Sequence, residues 1–167
     1  MSAHQVLRLD PDDPEAWAVW PELEERLRKY SPEVAPDTPV DQLIRLLRKA
    51  FAEDNPLFIM VVVQDMLAGG SIIGHCIGWH EAAWGINYAI IHQAKLDAES
   101  KVQPVVWKEI IHWVRQLNAL GANPPIEQVR FVTTRGEAWA RRLKQHCTFE
   151  RSVISLDMDQ LTSVCEG

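Results

Sequence analysis

The sequence predicts an α+β protein with a mixed central sheet and the element order β-α-α-β-β-β-α-β-α-β. Three observations carry that prediction. The apolar period switches from helical spacing to β-branched runs at Leu57. Three strand-like segments then follow one another across short glycine-containing breaks, which makes an antiparallel meander. After the meander, a long amphipathic segment closed by Gly121 separates it from further strands, so the chain must cross over the sheet.

Each element has its own local cause. Gln5 to Leu9 alternates apolar and polar residues and reads as the first strand. Asp13-Pro14 starts a helix: a capping carboxylate precedes a proline placed where a backbone N–H is unpaired anyway. Ala16, Trp17, Trp20, Leu23 and Leu27 keep helical spacing, and Pro21 is expected to interrupt or kink it. Three prolines between Ser31 and Pro39 predict a loop, and Thr38-Pro39 starts a second helix. Leu43, Ile44, Leu46, Leu47 and Phe51 give that helix an apolar face, and Asn55-Pro56 follows its end. The run Leu57 to Gln64 predicts a strand buried on both faces. Gly69-Gly70 makes a turn into Ser71–His80, where Gly74 and Gly78 weaken the strand or mark bulges. A break over Ala82–Gly85 leads to the strand Ile86–Leu96. Ser100 to Leu120 is the strongest helix, with Ser100 and Gln103 as a capping box and Pro104 in its first turn. Gln128 to Thr133 is a strand, Gly136 to Gln145 a helix, and Phe149 to Met158 a final strand or bent pair.

Composition bounds the class. A chain of 167 residues is one domain, 1–167, on the usual prior. Hydrophobic residues make up 47% and charged residues 24%, which excludes disordered, collagenous and disulfide-scaffold chains. No apolar run approaches the roughly 18 residues of a membrane span, and no signal peptide is expected at the start. The net charge of −6 argues against a nucleic-acid partner, although Arg141, Arg142 and Lys144 form a local basic patch. Three cysteines, Cys76, Cys147 and Cys165, lack close pairing and suggest a reducing, cytoplasmic setting.

The element order, with two helices after the first strand and one long helix after the fourth, resembles the Gcn5-related N-acetyltransferases (GNAT). Two stretches carry the resemblance. IIHWVRQLNALGANPPIEQVRFVTT is similar to that family's long third helix, closing glycine and fifth strand. GEAWARRLKQHCTFERSVISLDM is similar to its fourth helix, helix-to-strand corner (here Thr148-Phe149) and last strands. The match runs over roughly 57–158, with the first 56 residues matched by element order alone.

The resemblance implies transfer of an acetyl group from acetyl-CoA to an amine of a small molecule or protein, without a metal. It also implies a pyrophosphate site on the loop before the long helix, where backbone amides meet an anion and glycine permits close approach. Here that loop reads Ala98-Glu99-Ser100-Lys101-Val102-Gln103-Pro104, with no glycine and no arginine. Lys95 and Lys101 are the compensating cations, and the backbone from Val102 and Gln103 to Val105 and Val106 is the expected cradle. Glu137 stands where the family often has an asparagine, and Lys144 where it often has a tyrosine that protonates the thiolate. These departures support an alternative: a catalytically inactive GNAT-fold binding or structural module, phage-encoded and part of a larger assembly. The expected partners are acyl-CoA and an amine, or a protein, with homo-oligomers allowed and no membrane.

An acetyl transfer needs a base for the acceptor ammonium, and His80, Glu81 and His92 are the candidates. His75 with Cys76, and His80 with Glu81, point to opposite faces of a regular strand, which argues against a metal site. Trp107, Trp113 and Trp139 fit core positions. Trp79 and Trp84, flanking His80 and Glu81, suit an acceptor pocket or a protein interface, as do Trp17 and Trp20. Cys147 reads as a small buried residue, and Arg135, Arg141 and Arg142 as solvated helix charge.

Overall fold

The computed structural model of the chain describes residues 3–34, 38–97, 103–132, 148–150 and 153–157, together with Thr162. Seven strands form one sheet. They are β1 (His4–Arg8), β2 (Phe58–Asp65), β3 (Ser71–Ala83), β4 (Ile86–Leu96), β5 (Gln128–Val132), β6 (Thr148–Glu150) and β7 (Val153–Asp157). Their order across the sheet is β1-β2-β3-β4-β5-β7-β6. All neighbours are antiparallel except β4 and β5. The described helices are α1 (Pro14–Val34), α2 (Val40–Ala52) and α3 (Gln103–Ala119). The final segment is thus the bent pair, β6 and β7. The helix expected over 136–145, with Trp139, Glu137, Arg135, Arg141, Arg142, Lys144 and Cys147, lies outside the described residues.

The apolar run of β2 has a direct cause. Ile59 and Val61 face α3, packing with Ile110, Trp113 and Val114. Met60 and Val62 face the other way, onto Leu23 and Leu27 of α1 and Leu47 and Phe51 of α2. Both faces are covered, so no position along the strand's centre is polar. Trp113 is completely buried and its Nε1–H donates to the Pro56 carbonyl at 2.9 Å, which satisfies its one polar atom. No described helix is long and apolar enough to cross a membrane.

Two expectations about proline are corrected. Pro21 does not break α1, and Ser31–Val34 is helix rather than loop. Pro21 is exposed, as is Trp17, whose carbonyl loses its partner, so water reaches that side of the helix. Opposite it, Trp20, Leu23 and Leu27 are buried, and each buried Leu is worth about 1.5–3 kcal/mol. That burial outweighs an interior proline's cost of about 3 kcal/mol. Trp20 therefore belongs to the core, stacked on Phe51 at 5.1 Å, and not to an interface.

The last turn of α1 is held by side chains from β4. Gln93 Nε2 donates to Ser31 Oγ at 2.7 Å, and Lys95 pairs with Glu33 at 3.0 Å. One turn earlier, Arg26 donates to both Asp97 carboxylate oxygens, at 2.6 and 3.1 Å, and to the Ile72 carbonyl at 2.9 Å. This pair holds the Asp97 carboxyl below the usual range. His75 completes the cluster, facing Gln93 and the Tyr30 ring. Burial, with Arg26 nearby, lowers its pKa to about 4.

Both strand glycines stand beside bulges. Ile73 is the extra residue where β3 passes Val63 and Gln64, next to Gly74. His92 is the extra residue where β4 passes Ile77 and Gly78. A Cβ on Gly78 would run into the Ile90 carbonyl and lie 2.9 Å from Ile91 Cδ1. Since backbone cannot swing aside as a side-chain end can, Gly78→Ala should lower stability by about 1–3 kcal/mol, read from urea midpoints. An unchanged midpoint would show that the bulge tolerates a side chain opposite it.

The His75 environment sets a pH dependence. Its folded pKa lies below the unfolded value, so the unfolded chain binds a proton that the folded chain does not. Stability therefore falls as pH drops from 6.5 towards 4. Between pH 7 and pH 5 this residue should cost about 2 kcal/mol, and His75→Gln should remove that share of the decline. Parallel declines in the two chains would refute the assignment.

Candidate functional site

The site is built on β4. Ala89 and Ile91 enter the core against α3, so Tyr88 and Ile90 face the opposite side of the sheet. The bulge then breaks the alternation. His92 and Gln93, adjacent in sequence, both turn to the face carrying α1 and α2: Gln93 reaches Ser31, and His92 reaches Thr38. An extra residue on one strand re-aims side chains in this way.

His92 is buried. Its Nε2 lies 3.2 Å from Thr38 Oγ1, in the connection between α1 and α2. Its ring packs on Trp79 at 4.7 Å between centroids, and Trp79 packs on Phe58 at 6.3 Å. Burial pushes the His92 pKa below the ordinary histidine value. The imidazole is therefore neutral near pH 7 and able to accept a proton.

The described pairing of β4 with β5 ends beside this residue. β4 and β5 pair in parallel only from Ala89↔Val129 to Ile91↔Phe131. β4 continues to Leu96, while β5 ends at Val132. On the β5 side, the backbone of β4 beyond Ile91 thus has no strand partner among the described residues. His92 is the first residue past the last pair. Unpaired strand amides next to a neutral imidazole are what a carbonyl-addition reaction uses, one to hold an oxyanion and the other to take a proton.

The other predicted residues are not gathered there. His80 is on the α3 face, with Nε2 3.0 Å from Asn87 Oδ1, and Asn87 in turn donates to the Pro124 carbonyl at 2.6 Å. Glu81 is exposed and stands opposite Tyr88, three residues along β3 from Gly78, or about 10 Å from the bulge. Lys95 is engaged by Glu33 and lies 5.1 Å over the Tyr30 ring, on the α1 side. Val105 is exposed in the first turn of α3, and Val106 is half-buried against the core. Gln103 opens α3. Lys101 and Val102 lie outside the described residues, as does Ser100. His75 and Cys76 do point to opposite faces, Cys76 into the α3 core with its thiol pushed up to about 12 by burial. Trp84 sits at the tip of the β3–β4 hairpin, 100% exposed, in a left-handed conformation followed by Gly85. Two consecutive positive φ angles define the tight turn that replaces the longer break expected over Ala82–Gly85.

Thr38 and Arg130 are functional candidates that the sequence reading passed over. Thr38 was assigned to a helix start, yet its hydroxyl makes no cap, because Pro39 holds that position. Arg130 carried a signal: it is a lone cation between Val129 and Phe131 in a strand whose neighbours are buried.

No protein-family model matches the sequence, and no curated protein matches it. Solved structures do match the fold. A predicted acetyltransferase from Clostridium acetobutylicum, crystallised with acetyl-CoA, is 12% identical over 88% of this chain and 92% of its own, with a TM-score of 0.54. Glucosamine-6-phosphate N-acetyltransferase from Arabidopsis thaliana is 11% identical over 90% and 97%, with a TM-score of 0.55. A bacterial toxin is 11% identical over 99% and 97%, with a TM-score of 0.56. At such identities the likeness is one of architecture: the chain has the Gcn5-related N-acetyltransferase fold.

Proposed function

We propose that the chain moves an acetyl group from acetyl-CoA to an amine, with His92 as the general base. One observation carries this reading: a neutral, buried imidazole stands on the β4 bulge, one residue past the last described pair of β4 and β5. The acceptor arrives as an ammonium ion and gives one proton to His92. The amine nitrogen then bonds to the thioester carbonyl carbon, and an amide of β4 beyond Ile91 holds the oxyanion. The carbon–sulfur bond breaks, and the second amine proton goes to the departing thiolate. The products are an amide and CoA, and the imidazolium returns its proton to solvent. Trp79 and Thr38 fix the ring orientation, so little rearrangement accompanies proton transfer.

The backbone amides at the start of α3 suit the CoA pyrophosphate, because the first turn of a helix leaves its N–H groups unpaired. Pro104 contributes none of them. Residues 98–104 hold neither glycine nor arginine, and this favours the second reading, a non-catalytic binding module of the same fold. Calorimetry separates the two. Micromolar binding of acetyl-CoA is expected, with tighter binding by Gln103→Arg. No heat at millimolar ligand would end the transferase reading.

Turnover tests the base. With an amine that releases CoA, His92→Gln should lower kcat by about 10²–10⁴ with a smaller change in KM for acetyl-CoA. The acid limb of kcat should lie below the ordinary histidine pKa, because burial depresses His92. A variant with unchanged kcat, or an acid limb above 6.5, would remove His92 from the mechanism.

A further inference from the structure

We propose that Arg130 recognises an anionic group, a carboxylate or a phosphate, carried by the acceptor amine. The inference rests on the transferase reading and adds the class of acceptor.

Placement comes first. Val129 and Phe131 enter the α3 core, so Arg130 projects from the opposite face of β5. That face also carries Tyr88, Trp79 and His92. Arg130 is in register with Ile90, two residues before His92 on the neighbouring strand. One strand spacing across and two residues along put its backbone about 8 Å from that of the base, and its guanidinium lies over Tyr88, four residues before His92. A group bound by Arg130 and an amine bound at His92 therefore share one face of the sheet and need an extended molecule to join them.

The state of the side chain points to a ligand. The guanidinium carbon lies 3.5 Å from the Tyr88 ring centroid. At that distance the group lies along the ring, and its N–H donors point outward around the edge. Nε is buried without a hydrogen-bond partner, as is Nε of Arg26, so the two arginines differ in counter-charge alone. Among the described residues, no carboxylate comes within ion-pair distance of Arg130. Arg26, the buried arginine of the α1 cluster, has a carboxylate and a backbone carbonyl instead. A guanidinium taken partly out of water, stacked and left without an anion gains a bidentate partner when a carboxylate or phosphate binds.

The test uses two matched pairs of amines, titrated calorimetrically into the full chain saturated with CoA. 6-Aminohexanoate is set against hexylamine, and 6-aminohexyl phosphate against 6-aminohexanol. At least one anionic member should bind tenfold or more tightly than its uncharged partner. Which pair shows the difference distinguishes carboxylate from phosphate. Arg130→Gln should bring the ratio to about one. Arg130→Lys keeps the charge without the planar fork and should retain only part of it, which covers the case of a glutamine variant that fails to fold. Equal affinities within both pairs, no binding of either anionic amine, or an unchanged ratio in the variants would overturn the proposal. Binding needs no turnover. Selective binding without CoA release would therefore refute the transferase step alone, whereas turnover without selectivity would refute the role of Arg130 alone.

Discussion

One extra residue in β4 organises the functional face. Without the bulge, His92 and Gln93 would point to opposite sides of the sheet, since strand side chains alternate. With it, both face α1 and α2. Gln93 then anchors the last turn of α1 through Ser31, and His92 meets the chain just before α2 through Thr38. The same irregularity falls where pairing to β5 stops. Gly78 makes it possible, because no side chain fits beside the displaced Ile90 carbonyl. A missing side chain on β3 thus permits a misplaced residue on β4, and that residue is the base.

The sheet divides the protein chemically. Toward α3 it presents an apolar surface, with Ile59, Val61, Ala89, Ile91 and Val129 packed on Trp113 and Val114. Toward α1 and α2 an apolar core under the helices gives way to polar groups along β4, and these differ in their partners. Near Arg26 the charge has a match: Asp97 pairs with the guanidinium, Ile72 takes a further donor, and a neutral His75 avoids a second cation, although Arg26 Nε and His75 Nδ1 are buried without partners. That cluster holds α1 in place. Around His92 and Arg130 the matching is incomplete. His92 has one hydroxyl contact, and Arg130 has an aromatic face but no anion. Each arginine leaves a buried Nε without a partner, so the contrast between them is one of counter-charge: Arg26 of α1 has Asp97, and Arg130 of β5 has no carboxylate among the described residues.

Much of the fold was legible because burial leaves a simple trace. The two-faced run of β2, the meander glycines and the helical stripe before Gly121 each follow from one physical requirement. Proline is the weaker guide: an interruption or kink at Pro21 and a loop from Ser31 are what it suggests, and α1 runs through both. Pro21 and Pro32 sit on the exposed side of α1, where water reaches the helix, while the buried leucines and the Ser31–Gln93 bond hold the helix together. The site was less legible. His92 was found by residue type, and its neighbour offered a better signal: two successive polar residues inside Ile90-Ile91-His92-Gln93 break the alternation that an ordinary strand requires. His80 and Glu81 were grouped with it because strand ends look alike in sequence. Register alone decides that His80 faces Asn87 and that Glu81 stands at the far end of the hairpin.

Thr38 carries the chemistry one step further. An imidazole buried against Trp79 loses basicity, and a weaker base takes a proton from an ammonium ion less readily. The hydroxyl of Thr38 offsets this without fixing a charge. It accepts from an Nε2–H or donates to a bare Nε2, because a hydroxyl rotates to suit either partner, and so the contact survives a change of ring charge. A carboxylate at that position would hold His92 protonated near neutral pH and remove it as a base. A hydrocarbon there would leave the buried nitrogen without a partner, at a cost of about 1–3 kcal/mol. A hydroxyl is the side-chain chemistry that keeps this histidine both neutral and able to turn over, and it is supplied by the residue just before the N-cap of α2.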